Sequence, residues 1–193
     1  MTTRPVPDII PEIKKWLDAN LEKITSFWLH ADWRGWARFD LYAHLAKGMC
    51  REVRPDHPRW DYVVSHSVRV WGENDPEVDL TVEPAANQNL DNVAIWICTA
   101  TPGENDTSFP NFVEKFQREW KLVQDLTKKT GGSDGDFQGG KLLFLGIGEK
   151  AYDEEELAFG DLKPQYFGFG GRTEYEVAVY MYYLWLDLPV GES

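Results

Sequence analysis

A mixed α/β (α+β) fold, with a central mixed β-sheet flanked by helices and two N-terminal helices ahead of it, is predicted by the order of patterns along these 193 residues. Two amphipathic helix patterns come first, three short apolar runs rich in β-branched and aromatic residues follow, and a further helix pattern then leads into one more apolar run. Nothing repeats and no long low-complexity tract intervenes. One domain over 1–193 is therefore expected, with N-terminal helices over about 8–52, sheet and helices over about 60–148, and a C-terminal extension over about 149–193.

The first helix is expected from Pro7, because Ile9, Ile10, Ile13, Trp16, Leu17, Leu21, Ile24, Phe27 and Trp28 recur at spacings of three and four with charged residues between them. Asp8 suits its cap, and Pro11 suits its first turn, where a missing amide leaves no bond unmade. After "HADWRG" a second helix is predicted from about Trp36 to Glu52, burying Phe39, Leu41, Tyr42, Leu45, Ala46 and Met49. "RPDHP" stops it, since proline disfavours helical geometry before it and donates no hydrogen bond.

Three strands are expected next: Val64 to Trp71, then "EVDLTVE", then "NVAIWICTA", each bounded by Asn, Asp, Gly or Pro. From Pro110 to about Thr130 a helix should present Phe112, Val113, Phe116, Trp120, Val123 and Leu126 on one face before "GGSDGDFQGG" breaks it. "KLLFLGIG" reads as a buried strand. Beyond it, "EKAYDEEELAF" is expected to be a short acidic helix and "FGFGG" a turn, while "TEYEVAVYMYYLWLDL" is open between helix, which its length favours and which is preferred, and strand, which its β-branched and aromatic content favours.

Apolar residues make up 42% and aromatics 14% of the chain, including nine Trp, enough to offset the entropy of ordering a backbone. Thirty-two acidic against twenty basic residues give a formal charge of −12, which repels phosphate and attracts basic partners, so nucleic acid is disfavoured as a ligand. Neither a signal-peptide pattern nor an apolar window of membrane-spanning length is present, and a cytoplasmic location without membrane contact is the expectation. Cys50 and Cys98 offer no disulfide framework or metal-ligand spacing.

His30, His44, His57 and His66 lack the spacing of a zinc site, "LGIGEK" and "FGFGGR" lack phosphate-loop spacing, and "SDGDFQGG" lacks the acids of a calcium loop. No Gly-x-Ser-x-Gly elbow occurs. The densest acidic stretch is Asp153, Glu154, Glu155 and Glu156, beside Phe159 and Tyr166, a pairing of charge with rigid aromatic area that suits a protein-binding surface.

The succession "GWARFDLYAHL", "REVRP", "EVDLTV", "NVAIWICTAT", the helix with "VQDLTKKTGG" and the strand "KLLFLGIG" resembles the restriction-endonuclease-like, or PD-(D/E)XK, superfamily over roughly 33–148. The resemblance implies a helix acid and a strand Asp that hold Mg²⁺ together with a Glu-x-Lys on the next strand, whose lysine activates water or offsets phosphate charge. Asp40 matches the helix acid and Asp79 the strand acid. Trp96 and Cys98 stand where Glu and Lys belong, and neither offers a hard oxygen ligand or a permanent cation.

Two readings of function follow from that departure. The favoured one is a non-catalytic, nuclease-like acidic module that needs no cofactor and neutralises a basic protein partner, such as a toxin, in the manner of an immunity protein. The alternative is a Mg²⁺-dependent nuclease with a rearranged site, in which Asp40 and Asp79 hold metal, Glu83 or Glu104 adds a carboxylate, and Lys121, Lys115 or Lys128 replaces the lost lysine. A structural subunit of a larger assembly is a third reading.

Overall fold

The apolar spacing of the N-terminal stretch becomes helix α1 (Ile10–Trp28) in the computed structural model, which describes residues 7–28, 33–49, 62–85, 90–99, 109–129, 137, 140–148, 165–168 and 179–188. Ile13, Trp16, Leu17 and Ile24 are fully buried along its apolar face. Asp8 is not its cap: the Ile9 carbonyl already accepts the first helical amide, from Ile13, so the boundary falls one residue later. Helix α2 (Arg34–Met49) buries Ala37, Leu41, Leu45 and Met49 and turns a second stripe, Trp36, Asp40 and His44, toward α1.

Strands β1 (Tyr62–Val68), β2 (Val78–Pro84) and β3 (Val93–Thr99) form an antiparallel meander. Helix α3 (Phe109–Lys129) then crosses over, so that β4 (Gly140–Gly148) returns parallel to β3. Two more strands, β5 (Gln165–Gly168) and β6 (Tyr180–Leu188), complete a six-stranded mixed sheet of order β1-β2-β3-β4-β6-β5. An α+β fold with a mixed sheet behind two N-terminal helices is what these residues build.

Two expectations for the C-terminal part are corrected. The segment preferred as helix contains strand β6, paired antiparallel with β4 over nine registered positions from Gly140↔Leu188 to Gly148↔Tyr180. The start of "FGFGG" belongs to a strand, because Phe167 and Gly168 of β5 pair with Met181 and Tyr180. β6 lies between β4 and β5, and a strand with neighbours on both sides and Met181 to Leu184 all buried shows no polar alternation for a sequence reader to find.

Register and alternation sort the side chains into two faces. Trp96 and Phe144 share one face, on which α3 packs through Phe116 and Trp120 against Phe144 at ring separations of 4.9 and 5.3 Å. Gly146 lets α3 approach, since any Cβ there would lie 2.4 Å from the Phe116 ring. His66, Leu80 and Ile95 share the opposite face, where Phe39 and Tyr42 of α2 sit edge-on to His66. Helices therefore flank both faces of the sheet.

Candidate functional site

Asp79 lies near the start of β2, the second strand of the sheet, at a place where both of its ladders are interrupted. On one side, the registered β1 pairs skip its opposite number Ser67, a non-glycine residue held at φ 55°. On the other, the pairing with β3 runs from Val82↔Val93 to Leu80↔Ile95 and stops. The Asp79 carboxylate fills the gap: its Oδ2 accepts the Ile97 amide at 2.7 Å, a role that a β2 carbonyl plays in an unbroken ladder.

The same carboxylate takes the fork of Arg34, the first residue of α2, with Nε donating to Oδ1 at 3.2 Å and Nη2 to Oδ2 at 2.8 Å. Two parallel charge-assisted bonds of this kind fix orientation as well as charge. The third arm of the guanidinium, Nη1, lies 3.5 Å from Glu119 Oε2 on α3, and its carbon sits 4.7 Å from the centre of the Trp96 ring. Trp96 in turn donates its indole N–H to Glu119 at 2.7 Å.

Two acids, one guanidinium and one indole therefore close on each other. The floor is dry, with the Asp79 side chain 5% and that of Glu119 11% exposed, while the Arg34 side chain remains 25% exposed. Burial opposes charge on Arg34, yet the hydrogen bonds and charge of Asp79, with the charge of Glu119, outweigh it and hold the guanidinium above its ordinary value.

Cys98, also on the α3 face of β3, is wholly buried. Burial, reinforced by the Glu119 charge, pushes its thiol well above the usual range against the pull of Lys115, Arg34 and Arg118, so it stays protonated and unreactive. Lys115 donates to the Thr99 carbonyl at 2.9 Å, closing the end of β3 rather than joining the acids.

The residues expected to share a metal are not gathered here. Asp40 belongs to the stripe of α2 that faces α1, where its Oδ2 accepts the Trp16 indole N–H at 2.7 Å. Arg34, by contrast, shares the stripe of Ala37 and Leu41, and that is why the arginine rather than Asp40 reaches Asp79. Glu83 lies four residues along β2, about 13 Å from Asp79 in an extended strand, and its partner is Thr81. Burial raises its carboxyl above the ordinary range, and the Thr81 hydrogen bond only partly offsets this.

Lys121 and Lys128 are exposed on α3. Glu104, Asp153, Glu154, Glu155, Glu156 and Phe159 lie outside the described residues, and Tyr166 is placed on β5 opposite Tyr182. Trp96 is buried as expected, at 4% exposure. The two residues that sequence reasoning missed are Arg34 and Glu119.

Could this cluster take the Mg²⁺ that the resemblance implies? Both oxygens of Asp79 already accept bonds from a permanent cation and an amide, and a divalent ion at the same place would face the guanidinium charge. Trp96 fills its side of the cluster and supplies no oxygen. The residues do not fit a hydrated divalent ion. Among the described residues no group of three or more His, Cys, Asp or Glu side chains is placed to hold a metal.

No family model, curated protein or solved structure matches the chain. Among the described residues no helix is long and apolar enough to cross a membrane.

Proposed function

We propose that this chain is a non-catalytic protein-binding module on a nuclease-like fold, directing its acidic surface at a basic protein partner, such as a toxin, that it neutralises in the manner of an immunity protein. The observation that carries the non-catalytic half is the bonding of Asp79: the carboxylate best matched to a metal-binding acid is spent on Arg34 and on the Ile97 amide. The formal charge of −12 supports a basic partner, because complementary charge steers encounter and excludes wrong partners.

Calorimetric titration with Mg²⁺ or Mn²⁺ is expected to show no saturable binding, and plasmid or single-stranded DNA incubated with either ion should stay intact. Saturable metal binding that disappears in Asp79→Ala would overturn this reading. The competing reading, a Mg²⁺-dependent nuclease with a rearranged site, draws on one observation: Asp79 and Glu119 approach a single cation, as metal-binding acids do. For it to hold, metal must displace Arg34, and cleavage dependent on both acids would be the sign.

The partner surface has its own test. Reversing Asp153, Glu154, Glu155 and Glu156 to Lys is expected to slow association with a co-purifying basic protein by roughly tenfold or more at low salt, since steering can raise encounter rates by about ten to a thousandfold and salt screens it. Folding should change by less than about 0.5 kcal/mol per substitution, the usual range for charge changes away from caps and buried networks. Equal on-rates for both proteins at low salt would remove this stretch from the interface.

A further inference from the structure

Val63 and Glu83 stand opposite each other in the β1–β2 ladder, so their side chains project side by side from the face of the sheet on which α3 packs. Val63 is 53% exposed, an apolar side chain left in water, and Glu83 beside it is half-buried. A carboxylate partly withdrawn from water ordinarily has a cation or several donors to offset the lost hydration. Glu83 has a hydroxyl, with Thr81 Oγ1 donating at 3.5 Å, the far limit of a hydrogen bond. Among the described residues no cation pairs with it: Lys141, which registers with Val93, belongs to the opposite face and engages Asp187 there. Burial therefore raises the Glu83 carboxyl, and among the described residues no positive charge opposes the rise.

An acid without a counter-charge beside an exposed apolar side chain is complementary to one kind of group, a cationic side chain with an apolar stem. We propose that Val63 and Glu83 receive a lysine or arginine of the basic protein partner, its head on the Glu83 carboxylate and its methylenes along Val63. This inference rests on the basic-partner reading above and gives that partner a contact on the sheet. The formal charge of −12 favours the same occupant, since it draws cations toward the chain and repels acids. In the free protein the contact is unfavourable, because the carboxylate is dehydrated with no cation in return. Glu83→Gln should therefore stabilise the free chain while weakening the complex, two effects of opposite sign that a purely structural glutamate would not produce.

Hexalysine serves as the probe, added to the full chain at low salt and followed by nuclear magnetic resonance at the Val63 methyls and the Glu83 side-chain carboxyl. Both signals should shift together and saturate, and Glu83→Gln should weaken the Val63 response about tenfold, the loss expected for one charge-assisted hydrogen bond. Glu114→Gln, at an exposed acid on α3, should leave it unchanged. Urea unfolding of the free chain is the second arm. The folded-state carboxyl lies above its ordinary value, so its protonated form favours the fold, and that contribution is lost as pH rises through the folded-state value. Glu83→Gln should accordingly raise the urea midpoint at about pH 7, and the gain should shrink toward zero by about pH 4, where the unmodified carboxyl is protonated too. Hexalysine that binds without moving Val63 and Glu83 would overturn this contact and leave the basic-partner reading standing, whereas no binding at all at low salt would overturn both. A Val63 response that survives Glu83→Gln, one lost in Glu114→Gln, or a Glu83→Gln chain no more stable than the unmodified one near neutral pH would each overturn the contact alone.

Discussion

Replacing Asp79 by Ala is expected to destabilise the fold by about 3 kcal/mol in urea unfolding followed by tryptophan fluorescence. Two losses add. The Arg34 fork loses its acceptor, and removing one member of a buried ion pair costs about 3–5 kcal/mol when the survivor stays dry. Arg34 is a quarter exposed and regains some water, so that part is discounted to about 2 kcal/mol. The Ile97 amide, paired with Asp79 Oδ2 and set in a fully buried strand, is left without its acceptor at a further cost of about 1 kcal/mol or more. Asp79→Asn keeps one oxygen acceptor and should lose roughly half as much. A loss below about 1 kcal/mol for Asp79→Ala would mean that water replaces the carboxylate and that the cluster does little to hold α2 on the sheet.

Gly140→Ala is the second substitution with a large expected effect, about 2–4 kcal/mol. Gly140 opens β4 at φ +132°, a conformation that side chains disfavour, and a Cβ there would lie 2.2 Å from the Asn92 carbonyl oxygen. That carbonyl accepts the Lys141 amide at 2.9 Å, next to the first registered pair of the parallel ladder, Val93↔Lys141. Backbone strain of about 1–3 kcal/mol adds to the displacement of this bond. The contrasting substitution is Gly35→Ala in the first turn of α2, where a Cβ meets nothing within 4 Å. It should stabilise by about 0.4–1 kcal/mol through the unfolded chain. Thermal melts of the two variants side by side would show shifts of opposite sign; two destabilised proteins would contradict the contrast.

The sequence shows the three helices and four of the strands because their apolar spacing survives in one dimension. α1, α2 and α3 each keep one apolar face against the core, and β1 keeps polar residues between apolar ones. β6 hides because it has a strand on each side and Met181 to Leu184 buried in succession, which leaves length as the only cue and favours helix. Within the site, Asp79 is visible as an acid inside an apolar run, and Trp96 as a bulky residue on the adjoining strand.

Arg34 gives no such sign. It sits in "HADWRG", which reads as a connection, and its role depends on where α2 begins. Glu119 does leave a trace. Phe112, Phe116, Glu119, Val123 and Leu126 follow the four-three-four-three spacing of a buried stripe, so an acid occupies a position that this stripe reserves for apolar side chains. Such an acid calls for a buried partner, and the partner proved to be the Trp96 indole with Arg34 beside it.

The parallel pairing of β3 with β4 also sets an order of assembly. Val68 and Val78, which close the β1–β2 ladder, are 10 positions apart in the chain, whereas Val93 and Lys141 at the start of the central pair are 48 apart. Bringing the second pair together costs about 1.4 kcal/mol more in loop-closure entropy. The hairpin can zip locally, but the centre of the sheet must wait for α3 to form and fold back. Contacts that arrive this late govern how fast a chain folds. Until they form, β3, apolar from Val93 to Cys98 and paired on one side only, is the part of the growing structure most open to the wrong neighbour.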